Sequence, residues 1–240
     1  MPKLPKDPRS FLTGPIGKDA GEKVRDQVQR QAGVGPVDGG GGTLFTEPVL
    51  VVNQKTKLIE LANEHEVFDQ HGNRIGSIVE VDQSQLKMAA RLVTSLDQFF
   101  THTFEIRDAS EQTLVRLVRP RKLGKSRFEL TTADGTEIGE IKQKNMLGKI
   151  RFHLSVGGKE VGQIKAENWR AWDFHVVDAG GTEVARITKT FEGVAKTLFT
   201  TADNFVVQIH RPLDDPLRTM VVAAALCIDT ALKQDDRGLN

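Results

Sequence analysis

The chain has 240 residues, enough for one large domain or two small ones, and its 38% hydrophobic content can supply a sizeable core. A net charge of +1 excludes a globally basic nucleic-acid binder but leaves room for a local basic patch. The single cysteine, Cys227, excludes an internal disulfide and suits a reducing compartment.

Residues 1–42 read as a solvated, disordered tail. They hold five of the nine prolines and end in the glycine run 39–42. Their start lacks the apolar stretch and small-residue cleavage site of a signal peptide. Within them, residues 18–32 have the makings of a short polar helix whose apolar face is only Val24 and Val28.

From Thr43 onward, β-branched and aromatic residues alternate with polar ones, the period of half-buried strands. An internal repeat organises this stretch. Residues 128–141 (FELTTADGTEIGEI) correspond to 152–164 (FHLSVGGKEVGQI) and 174–187 (FHVVDAGGTEVARI). Residues 104–117 and 67–78 form two degenerate copies. In each, a Phe or its equivalent and the aliphatic residue two places on share one face. A turn follows, at Asp134-Gly135, Gly157-Gly158 or Gly180-Gly181, and such pairs tolerate the positive φ of tight hairpins. A lone hairpin is unstable in water, so the hairpins must share a core in a sandwich, propeller or barrel.

The C-terminus selects the barrel. Asp215-Pro216 starts a helix, placed at about 215–234. Between Met220 and Ile228 that helix is apolar on every side, so it must be surrounded. The same run is about half the length of a membrane span, and Arg218 and Asp229 bracket it. The expectation is therefore an all-β domain over residues 43–236, an antiparallel β-barrel of repeated hairpins enclosing a buried apolar helix.

Residues 201–229 (TADNFVVQIHRPLDDPLRTMVVAAALCID) resemble the last strand and terminal helix of the phospholipid scramblase family. The resemblance is carried by Asp203-Asn204-Phe205, Pro212-Leu213-Asp214 and Ile228-Asp229, and more loosely by Gln54, Leu58 and 66–69 followed by Gly72. It covers most of residues 44–236. It implies a barrel of about twelve strands around a hydrophobic helix, the tubby-like fold also found in LURP-one-related proteins. The family's proposed calcium segment falls at about 203–215. Here Val206, Val207 and Ile209 occupy its middle, where an EF-hand loop needs oxygen ligands and a glycine, so it reads as strand, turn and helix cap.

Charge is the most suggestive local feature. Residues 112–170 hold thirteen basic and six acidic side chains. Two repeat-equivalent connections dominate, 121–127 (RKLGKSR) and 145–151 (NMLGKIR). The candidate rim for anionic headgroups comprises Arg119, Arg121, Lys122, Lys125, Arg127, Lys144, Lys149 and Arg151. The alternative is ordinary charged strand ends. Leu123-Gly124-Lys125-Ser126 ends like a phosphate-binding loop, but Arg119 stands where that motif needs a glycine.

No catalytic constellation, metal site or cofactor is implied. The six histidines lack metal-ligand spacing, and His153 and His175 share an outward repeat position. Cys227 packs as a small hydrophobe. Asp229 reads as a structural lock rather than an acid–base group. Trp169 and Trp172 read as core lids or as interfacial anchors. The expected function is a non-enzymatic, cytoplasmic module, peripheral at the inner face of the plasma membrane and binding anionic phospholipid or phosphoinositide. The alternatives are lipid scrambling and a protein-interaction or stress-response scaffold. Nucleic-acid binding is not expected, because little aromatic surface accompanies the charge.

Overall fold

The computed structural model describes residues 16–54, 64–81, 101–121, 125–145, 150–168, 173–190 and 204–237. Among them are twelve strands: β1 (Val49–Gln54), β2 (Glu64–Phe68), β3 (Arg74–Val81), β4 (His102–Asp108), β5 (Thr113–Arg119), β6 (Arg127–Thr132), β7 (Glu137–Gln143), β8 (Arg151–Val156), β9 (Lys159–Asn168), β10 (Asp173–Asp178), β11 (Glu183–Thr190) and β12 (Asn204–Ile209). Each pairs antiparallel with its neighbours in sequence, and β1 closes the ring against β12.

The repeat sets the register. Phe104 faces Leu117, Phe128 faces Ile141, Phe152 faces Ile164 and Phe174 faces Ile187. Directly opposed residues share a face, so these pairs form one inward layer, and every member is at most 3% exposed. The degenerate copy at 67–78 runs two residues differently from the reading above. Val67 faces Gly76, and His65 faces Ile78. His65, not Val67, therefore holds the position that Phe holds elsewhere.

A second inward layer lies nearer the tight turns. It pairs Leu130 with Gly139, Leu154 with Gly162 and Val176 with Ala185. The small partners leave room for a helix. That helix, Leu217–Arg237, begins beyond β12 at the tight-turn end and fills the barrel. From Met220 to Ile228 each residue is at most 3% exposed. Twelve strands enclose more space than their own inward side chains can fill, so an inserted element is required. Each large side chain so buried contributes about 1.5–3 kcal/mol. The Asp229 side chain and Trp169 and Trp172 lie outside the described residues.

The tight turns repeat as well. The Asp69 carboxylate accepts from the N–H groups of His71 and Asn73, Asp108 from those of Ser110 and Gln112, and Asp178 from those of Gly180 and Thr182. Positive φ falls at the same turn position in Gly72, Glu111, Gly135 and Gly181. Of these, Glu111 alone carries a side chain.

Residues 16–42 depart from the expected disordered tail. Helix α1 (Ile16–Arg25) and a π-helical turn (Asp26–Gln31) lie against the outer wall at β1 and β12. Val24, Val28 and Val34 pack on Val49, Val51 and Val206, all at most 6% exposed. Gln27 and Asn53 exchange amide hydrogen bonds at 3.1 and 3.3 Å. The physical reason is complementarity. Two valines on the strap make too small an apolar face to stand alone, but the barrel wall beneath them is apolar on its outer side too. We call the C-terminal helix α2.

Candidate functional site: a basic rim over a buried polar arc

An antiparallel meander has two ends. The tight hairpins turn at one, and the longer β5–β6 and β7–β8 connections lie at the other. Those two connections are two strand spacings apart, about 10 Å. Gln143 ties them together. Its N–H donates to the Ser126 carbonyl at 2.8 Å, and its side-chain oxygen accepts from the Ser126 N–H at 3.1 Å. Asn145 in turn accepts from the Arg151 N–H at 3.0 Å.

The structure sorts the eight candidate cations. Arg121, Lys125, Lys144 and Arg151 are exposed at this end. Among the described residues no carboxylate lies within salt-bridge distance of any of them. Arg127 is also exposed, but it pairs with Glu129 at 2.9 Å and with Glu140 on the outer wall. Arg119 is not on the rim. It follows Leu117 by two places, so it points into the barrel, where it is 2% exposed. Lys122 and Lys149 lie outside the described residues.

Elsewhere the outer wall's arginines are matched, while Lys142 and Lys165 have no carboxylate within salt-bridge distance among the described residues. Arg107 and Arg116 serve Glu105 at 2.7 and 3.4 Å, Arg186 serves Asp173 at 2.9 Å, and Arg74 serves Glu66 at 3.3 Å and Glu111. His153 and His175 stand on this wall as expected, and His153 pairs with Glu160. The hydrogen bond from Arg107 outweighs desolvation and holds the Glu105 carboxyl below its ordinary value of 4.5. Arg74 does the same for Glu111. A carboxylate held low in the folded state contributes stability above its unfolded pKa and loses it as pH falls through the folded one. The urea midpoint is therefore expected to drop as pH is lowered below about 4.5. Replacing Glu105 and Glu111 by Gln should flatten that drop, and an unchanged profile would show that other groups carry it.

Beneath the rim lies a third inward layer that sequence reasoning missed. His102 faces Arg119 across β4 and β5. Glu80, next door on β3, hydrogen-bonds His102 Nδ1 at 2.5 Å, with the two side chains only 2% and 5% exposed. Ser126 and Gln143 continue the arc, both at most 2% exposed. The His102 ring stacks on Phe104 at 6.3 Å. The arc then ends, because Ile150 and Ala166 hold the equivalent places further round. A signal for this layer was present. Extending each repeat copy two residues outward from its Phe and from its closing aliphatic residue names His102, Ser126, Arg119 and Gln143, and Glu80 by the same step past Ile78.

The segment proposed for calcium is strand β12 from Asn204 to Ile209, and Asp215 accepts from the Thr219 hydroxyl at 2.7 Å at the start of α2. Among the described residues no group of three or more His, Cys, Asp or Glu side chains is placed to hold a metal ion. Burial pushes the Cys227 thiol well up, away from nucleophilic character. No described helix is long and apolar enough to cross a membrane.

The sequence model of the Scramblase family matches residues 40–232. No curated protein matches the chain. Among solved structures, an X-ray structure of a protein from Arabidopsis thaliana is similar at 13% identity and a TM-score of 0.45, over 79% of this chain and 99% of that one. The family match takes in all twelve strands and most of α2, and this chain belongs to the Scramblase family.

Proposed function

We propose that this scramblase-related chain is a non-enzymatic module that binds anionic phospholipid headgroups through the rim formed by the β5–β6 and β7–β8 connections. The observation that carries the reading is the contrast between rim and wall. Arg121, Lys125, Lys144 and Arg151 stand exposed with no carboxylate within salt-bridge distance among the described residues, Lys144 acting on Glu160 only through space, while the wall's arginines are paired. A basic side chain near an anionic leaflet contributes about 1 kcal/mol. Four together suffice for reversible, salt-sensitive attachment. The reading places the chain in the cytoplasm against the inner leaflet.

Family membership favours a second reading, lipid scrambling itself. If α2 were to carry it, the helix would have to leave the barrel and strip the core of its filling. A fluorescent-lipid flip assay in proteoliposomes tests that reading separately.

The binding experiment is co-sedimentation with vesicles of phosphatidylcholine alone, with added phosphatidylserine, and with added phosphoinositide. Binding is expected to require anionic lipid. It should fade between about 0.1 M and about 1 M salt, as the screening length falls from about 10 Å to about 3 Å. Reversing Arg121, Lys125, Lys144 and Arg151 to Glu should lower binding at least tenfold and leave the circular dichroism spectrum unchanged. Equal binding by that variant would remove the site assignment. A wild-type chain that stays in the supernatant at low salt would overturn the lipid reading and favour a protein-interaction role.

A further inference from the structure

We infer that the outer face of the barrel seam is an interaction surface whose partner is the N-terminal strap of a second copy of this chain, so that two copies associate by exchanging straps. The strap's contacts form a small apolar cluster of their own, separate from the barrel core. Val24, Val28 and Val34 lie on Val49, Val51 and Val206, with Phe68 at the edge. The strap can therefore lift away without opening the interior.

Polar contacts make the fit selective for this segment. Gln27 and Asn53 satisfy each other in both directions. Gln70 does the same for the Val37 backbone, donating to its carbonyl at 2.6 Å and accepting from its N–H at 3.2 Å. A replacement must bring valines one helical turn apart and an amide between them, and a second copy of this chain carries that set.

The connection permits the exchange. Between Val37 and Thr43, a side chain added at Gly39 or Gly42 would meet nothing within 4 Å, and one added at Gly40 or Gly41 would meet only Glu47 or Thr46, so the connector touches just the turn it leads into. It is anchored at its far end, where the Gly42 N–H donates to Glu47 at 2.7 Å. The five residues 38–42 between Val37 and Thr43 reach about 20 Å when extended. Exchange would then set two seams side by side around a twofold axis. Contacts in cis and in trans are identical, so the balance follows the effective concentration of the tethered strap, about 1 mM for a short flexible connector.

The test mixes two full-length variants, Gln27→Cys and Asn53→Cys, with a short bismaleimide crosslinker. Cys227 is buried and stays out of the reaction. A chain carrying both substitutions should crosslink within itself. The mixture should yield a crosslinked dimer that rises with concentration, to about one chain in ten near 100 μM. Adding Val24→Asp and Val28→Asp to the Gln27→Cys chain should abolish it. The inference is overturned if the doubly substituted chain does not crosslink, or if it does and the mixture gives no dimer up to millimolar concentration. A dimer that survives the two aspartates overturns it as well, since random collision would then explain the crosslink.

Discussion

Gly139→Ala is expected to destabilise the barrel by about 3 kcal/mol or more, and Gly135→Ala by only about 1 kcal/mol. Both glycines have positive φ, 156° at Gly139 and 94° at Gly135, so both substitutions carry backbone strain. They differ in surroundings. A Cβ at Gly135 meets nothing within 4 Å. A Cβ at Gly139 meets the Ser155 carbonyl oxygen at 2.5 Å and collides with the Met220 methyl of α2. Backbone of β8 cannot yield without breaking its ladder, and Met220 is held in a filled core. Gly162 repeats the arrangement, with the Val177 carbonyl 2.6 Å and Leu217 3.3 Å from the added atom. Urea denaturation of the two variants decides the matter. Equal losses would show that helix-to-sheet contact is not what requires glycine at 139.

The second large effect is expected at the buried pair. Glu80→Leu alone, or His102→Phe alone, should each cost about 3 kcal/mol, because each removes a short buried contact and leaves the other polar group buried beside an apolar side chain in its place. The double variant should cost less than their sum by a coupling energy of about 1–3 kcal/mol. The reasoning rests on burial of both side chains and their 2.5 Å contact. Additive losses in a denaturation cycle would mean that the two groups act independently. Vesicle binding by the double variant is expected to match wild type, because the arc lies inside the wall and the rim outside it.

Particular elements show how far each level of information reached. The Phe repeat was legible because a strand's side chains alternate, so one hairpin's apolar face recurs at a fixed spacing. The pairing of Phe104, Phe128, Phe152 and Phe174 with the closing aliphatic residue of each copy follows directly. The copy read as 67–78 begins two residues earlier, at His65, because no aromatic marks its inward position. Arg119 was read as rim because charge alone does not tell which way a strand-end residue points. Its parity with Leu117 does, once the strand is known to continue that far.

For this protein the one-dimensional pattern determined the barrel and its filling helix. Alternation, turn chemistry and an all-round apolar run are local properties, and only one architecture satisfies them together. Tertiary structure decided everything that depends on what lies opposite. It turned residues 16–42 from a tail into a strap, since the apolar wall that receives Val24 and Val28 is assembled from β1 and β12, the first and last strands of the chain, which pair at the barrel's seam. It divided the basic residues into paired wall, buried arc and open rim, since a cation's availability is set by the carboxylates that folding brings beside it and not by its neighbours in the chain.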